Sequence, residues 1–111
     1  MEKLKKYAEI IEKELSRYTS ISYANAKELK HHLVVNAEKN EFILLETGWI
    51  RHIFHHNIVF HFKISDGRVR LFCNNTDIEI GDRLAEKGIP KSDIVVEFVH
   101  ELERGNGYAK G

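Results

Sequence analysis

The chain has 111 residues, 42% hydrophobic and 31% charged, a length and balance that suit one globular domain (1–111) and are too apolar for a disordered one. Lysine plus arginine number 17 and aspartate plus glutamate 17, so the net field that drives unspecific binding to nucleic acid or anionic membranes is missing. Cys73 is the sole cysteine, which excludes an internal disulfide, and no apolar run approaches the ~18 residues of a membrane span. The expectation is a cytoplasmic protein with no membrane anchor and no targeting segment.

From Glu2 to Tyr18, Leu4, Tyr7, Ala8, Ile11, Leu15 and Tyr18 recur at helical steps, predicting an amphipathic helix whose Glu2/Lys6 and Glu9/Lys13 pairs lie on a solvated face. Thr19 to Lys30 has no clean period, and Ser20, Ser22 and Asn25 compete with the backbone for hydrogen bonds, so it reads as a connector with a short helical turn.

The middle of the chain reads as a meander. His31–Ala37, Phe42–Trp49, His56–Ile64 and Arg68–Cys73 are short, rich in β-branched and aromatic residues, and separated by polar or Gly-containing turns. Asp66-Gly67 supplies the two positive φ angles of a type I′ hairpin, so its flanking strands should pair antiparallel. Strict alternation along the third strand puts His56, Ile58, Phe60, Phe62 and Ile64 toward the core, and Asn57, Val59, His61 and Lys63 on a polar face.

Thr76-Asp77-Ile78-Glu79 fits a capping box, Ile80 and Leu84 stand one turn apart, and Gly88 followed by Pro90 marks a helix end. Ile94–Phe98 reads as a fifth strand, after which Gly105, Gly107 and Gly111 make a turn-forming tail. The predicted fold class is α+β: an N-terminal helix packed on a mainly antiparallel five-stranded sheet, with a short second helix before the last strand.

Chemistry is hard to find in this pattern. His52, His55, His56 and His61 crowd one strand and invite a metal test, but alternation divides them between two faces, and neither Cys-x-x-Cys nor His-Glu-x-x-His accompanies them. Cys73 has no evident base, and no Gly-rich loop opens a helix, so no enzyme, metal or cofactor is expected, a metal-dependent enzyme using the His52–His61 cluster being the weaker alternative. Lys63, Arg68 and Arg70 form a basic stripe that could meet phosphates, the direct nucleic-acid alternative, although such a stripe more often makes a soluble sheet face. Trp49, after Gly48 at a strand end, is a core anchor or an interface anchor, the core being the commoner place, with Arg51 beside it at the surface.

Several of these segments together resemble the XisI family, the fdxN-element excision controlling factors known mainly from cyanobacteria. The likeness rests on Gly48-Trp49, on Asp66-Gly67 after Phe60-His61-Phe62-Lys63-Ile64, and on Thr76 opening a helix through Ile80 and Leu84. Its most specific stretch is Gly88-Ile89-Pro90-Lys91-Ser92-Asp93-Ile94-Val95, and Arg104 and Tyr108-Ala109 are similar to the family's closing residues. Val99-His100-Glu101 departs from the His-Pro-Pro that family members carry after the strand phenylalanine. The resemblance implies a regulatory helper in a DNA rearrangement system, associated with a recombinase and with a nuclease-like companion, XisH. On that reading the partner-binding residues are Trp49, Arg51, Arg104 and Tyr108. Self-association through an open sheet edge stays undecided by pattern alone.

Overall fold

A computed structural model describes residues 2–20, 28–100 and 107–109. Helix α1 (Glu2–Ser16) is followed by a tighter helical turn, Arg17–Ser20. The strands are β1 (Lys30–Asn36), β2 (Glu41–Ile50), β3 (Ile53–Ser65), β4 (Arg68–Asn74) and β5 (Ile94–Val96), with α2 (Ile80–Lys87) between the last two. They form one five-stranded sheet in the order β1-β2-β3-β4-β5. The first three pairings are antiparallel, while β5 joins β4 in parallel because α2 carries the chain back along the sheet. The predicted α+β class and element order are therefore observed. The connector read over Thr19–Lys30 falls mostly on 21–27, outside the described residues.

The core lies between α1 and one sheet face. Tyr7, Ile11 and Leu15 from the helix meet Phe42, Leu44, Phe60, Phe62, Ile64, Val69 and Leu71 from the strands, joined by Leu84 and Ile89. At roughly 1.5–3 kcal/mol for each large side chain removed from water, this cluster is the main source of stability. Glu14 shares that helix face and is 2% exposed. Its carboxylate accepts a hydrogen bond from Arg17 at 2.9 Å and faces Arg83 of α2 at 3.6 Å, which ties the two helices together. Tyr7 donates to Asp93 at 2.5 Å, and Lys3 stands 3.1 Å from the same carboxylate, so the start of α1 is bound to the turn before β5. Burial and the hydrogen bond push the Tyr7 phenol up to about 12. The same bond is the main reason that the Asp93 carboxyl lies below its usual value.

Three local expectations are corrected. The β2–β3 ladder shifts register between Leu44 and Leu45, pairing Leu44 with Phe60 but Leu45 with Ile58. Val59 is the extra residue of this bulge. The strict alternation breaks there: Val59 is buried, while His56 and Ile58 are exposed instead of facing the core. The capping box does not form, because Asn74 engages Thr76 through both its backbone N–H and its hydroxyl, and that hydroxyl accepts from Ile78. Helix α2 consequently starts at Ile80 with no side-chain cap. β5 stops at Val96, so Phe98 is not a strand residue and is exposed. The Asp66-Gly67 hairpin has both positive φ angles, 55° and 75°, and Gly88 closes α2 in a left-handed conformation, both as the sequence predicts.

A projecting hairpin as candidate binding site

β2 and β3 outrun their neighbours. The β1 ladder begins at the Lys30–Thr47 pair, and the β4 ladder ends at the Phe60–Asn74 pair. From Gly48 to His55, among the described residues, the two long strands pair only with each other, forming an arm that leaves the body of the sheet. The radius of gyration, 14.7 Å, exceeds the ~13 Å of a compact chain of this length, as a projecting element requires.

The arm's base depends on Gly48. Its φ is 144°, and a Cβ there would overlap the Glu28 carbonyl oxygen, because the segment leading into β1 crosses directly over it. The glycine that precedes Trp49 is thus required by close backbone approach. At the tip, Arg51 has φ 58° and, among the described positive-φ residues, is the only one that is neither glycine nor the tolerant Asn or Asp.

Of the two places open to Trp49, core or surface, the structure shows the less common one: it is 53% exposed, with its ring edge-on to Phe54 at 5.2 Å between centroids. The two residues are direct cross-strand partners. Phe54 and Ile53 are themselves 52% and 65% exposed, so the arm carries a small apolar surface with no helix of the described residues over it. The sequence does not single out either residue, because Arg51-His52 contains no Gly, Asn or Asp to mark a turn and the predicted third strand begins only at His56.

Tyr108 is not near this arm. It lies beside β5, with Lys91 over its ring at 5.3 Å, and its hydroxyl occupies the space that a Cβ on Gly81 would fill. Its neighbour Ala109 bridges to Val95 and covers the β5 edge. Arg104 lies outside the described residues. The proposed set therefore divides between the arm, with Trp49 and Arg51, and a half-buried tail contact at Tyr108 beside the β5 edge.

Lys63, Arg68 and Arg70 do share one side of the β3–β4 pair, but carboxylates interleave with them. Lys63 stands between Glu41 and Arg70 in the ladder, and Arg70 is held by Glu97 at 2.6 Å with Asp66 at 3.9 Å. Of the histidines, His61 bonds Glu41 at 2.7 Å, His52 sits in the arm's turn, and His55 and His56 pair with Gly48 and Thr47. Among the described residues, no three His, Cys, Asp or Glu side chains converge as a metal site would need. Burial pushes the Cys73 thiol up, away from nucleophilic thiolate. Also among the described residues, no helix is long and apolar enough to cross a membrane.

Fold and surface together define a small α+β protein whose helix-covered sheet extends an aromatic hairpin into solvent. The chain belongs to the XisI protein family, whose model matches residues 1–109. It is similar to a XisI-like protein from Anabaena variabilis, at 29% identity and a TM-score of 0.84, over 96% of this chain and 97% of that one. It also shares its fold with the fdxN element excision controlling factor XisI from Anabaena variabilis, at 24% identity and a TM-score of 0.79, over 98% of this chain and 99% of that one. No curated protein matches the sequence.

Proposed function

We propose that this protein is a non-enzymatic controlling factor for the excision of a DNA element, acting in the cytoplasm by binding an XisH-like, nuclease-related protein. The observation that carries the reading is the Trp49–Phe54 pair, exposed on an arm with Arg51 at its tip. Trp and Arg are the residue types that most often anchor protein interfaces, and the pair leaves about half of each residue facing solvent. Family membership supports the excision role. The interleaved carboxylates around Lys63 and Arg70 favour a protein partner over DNA, since a duplex would meet no uninterrupted cationic surface.

The test is co-expression with the product of the neighbouring gene, followed by a nuclease assay of that product with and without this protein. A stable complex that changes the nuclease activity, and is lost in Trp49→Ala with the fold intact, is the expected result. No complex and no effect would overturn the proposal. In that case strongly salt-dependent retention on DNA would redirect attention to Lys63, Arg68 and Arg70.

A further inference from the structure

We propose that the outer edge of the arm, Ile53–Asn57 of β3, pairs antiparallel with the same segment of a second copy, so that the protein works as a two-fold dimer clasped by its arms. This inference does not depend on the identity of the excision partner.

Among the described residues the arm has an open edge. β3 pairs with β2 from Ile53 to Lys63, but on its other side the ladder ends at Phe60, and Asn75 closes it by bonding the carbonyls of Val59 and Ile58. Beyond that point, from Ile53 to Asn57, no described residue pairs with the β4-side edge. A row of unsatisfied backbone donors and acceptors beside apolar side chains is a template for another strand. Native edges are normally blocked by lysine, proline or a covering segment. Here β1 carries Lys30 at its end, and Ala109 covers β5. Ile53-Phe54-His55-His56-Asn57 has no such block, with neither Lys, Arg, Asp, Glu nor Pro.

Why the occupant is a second copy follows from what antiparallel pairing would bring together. His55 is the midpoint of the segment, so a two-fold axis through it sets Ile53 against Asn57 of the other copy, and Phe54 against its His56. No formal charges meet across the ladder. Continuing outward, the tip of each arm comes level with Ile58 and Val59 of the other molecule. Those two residues line an open groove of about 500 Å³ with Asn57, Asn75, Thr76 and Glu46. Among the described residues, Glu46, which stands 3.7 Å from His31, is the only charged residue of that groove, and Arg51 is the only formal charge between Gly48 and Ile58. The arrangement therefore delivers each arm's single cation to the other copy's single groove carboxylate, which a partner of unrelated sequence has no reason to match. Pairing would also turn a two-stranded arm, marginal on its own, into a four-stranded ribbon. The Trp49–Phe54 pairs of both copies would be left on the ribbon's surface, since edge pairing uses backbone groups and leaves side-chain faces open.

Two measurements on the full chain test this. Light scattering after size exclusion at micromolar concentration is expected to give about twice the 13.0 kDa chain mass. Phe54→Lys, which adds the missing block and whose fold is checked by circular dichroism, is expected to weaken the dimer at least tenfold. The second measurement is geometric. Directly opposed antiparallel residues lie about 4.5–5.5 Å apart at Cα, inside the span of a disulfide. His55→Cys in a Cys73→Ser background should therefore cross-link to itself on mild oxidation, and a mixture of Ile53→Cys with Asn57→Cys chains should cross-link as a heterodimer. A monomer at all concentrations overturns the proposal. So does a dimer that forms neither cross-link, since its interface would lie elsewhere.

Discussion

Phe60 and Phe54 stand on the same strand, yet Phe60 is fully buried and Phe54 is 52% exposed. The body and the arm of this sheet share one backbone ladder and one residue vocabulary, and differ in what covers them. Over the body, α1 supplies Tyr7, Ile11 and Leu15; over the arm, among the described residues, there is no helix. β-Propensity alone therefore does not decide whether an aromatic stabilises the fold or is left for a partner, because propensity reports fit to a pleated surface and coverage comes from tertiary contacts. The contrast separates stability from binding along a single strand, and it can be broken experimentally.

The largest effect should come from truncating matched aromatics on the two sides. Phe60→Ala should lose about 3–5 kcal/mol in urea unfolding, the cost of emptying a closed core site. Phe54→Ala should stay within about 0.5 kcal/mol while reducing association. Comparable losses at both positions would mean that the arm is covered in solution and that the contrast is false.

Gly48 joins the two regions and should behave as body. Gly48→Ala puts a Cβ against the Glu28 carbonyl at a φ of 144°, and neither backbone can yield cheaply. A loss of about 2 kcal/mol is expected by thermal unfolding, at the upper range for an incompatible glycine substitution. A neutral outcome would show that the arm's base slides freely past Glu28.

The legibility of the sequence divides along the same line. The body was readable where local chemistry and tertiary context agree: the helical period of Tyr7, Ile11 and Leu15, the two positive φ angles of Asp66-Gly67, and the Gly88 stop. It failed where one residue changed the count or a neighbour intervened. The bulge at Val59 inverts the facing of His56 and Ile58, a shift that period-two reading cannot anticipate. Asn74 removes Thr76 from its expected cap. Glu14 lies on the apolar helix face with Arg17 one turn on, but its second partner, Arg83, is remote in the chain, so the local pair alone does not signal its burial. The arm was read in half. Gly48-Trp49 and Arg51 stood out, yet Ile53 and Phe54 were lost because the turn at Arg51-His52 uses residues that turns normally avoid.

The body should also respond to pH in a way that the arm does not. Hydrogen bonding from Tyr7 holds the Asp93 carboxyl below its usual ~3.9, so this contact stabilises the fold above about pH 4 and is lost as pH falls through the lowered value. The phenol runs the other way. Raised from 10.0 to about 12, it contributes fully below pH 10 and is lost as pH rises toward 12. Tyr7→Phe should cost about 1 kcal/mol at neutral pH and flatten the alkaline loss between pH 10 and 12, measured by urea midpoints. An unchanged alkaline limb would show that Tyr7 does not hold Asp93 in solution.

The smallest effect is the one that sets the arm apart. Arg51 holds a φ of 58° that costs a side chain with a Cβ about 1 kcal/mol, and glycine takes the same conformation without that penalty. In a structural turn, Arg51→Gly should simply stabilise, by a few tenths to about 1 kcal/mol after glycine's greater freedom in the unfolded chain is deducted. If the arginine is kept for what its side chain meets, the same substitution should raise the unfolding midpoint slightly while weakening association, with the largest loss at low salt, where a pairing with Glu46 of a second copy is least screened. A gain in stability with association unchanged would leave the strained turn without a binding role. A gain coupled to weaker, less salt-sensitive association would identify strain at Arg51 as the local cost of presenting a cation at the end of the arm.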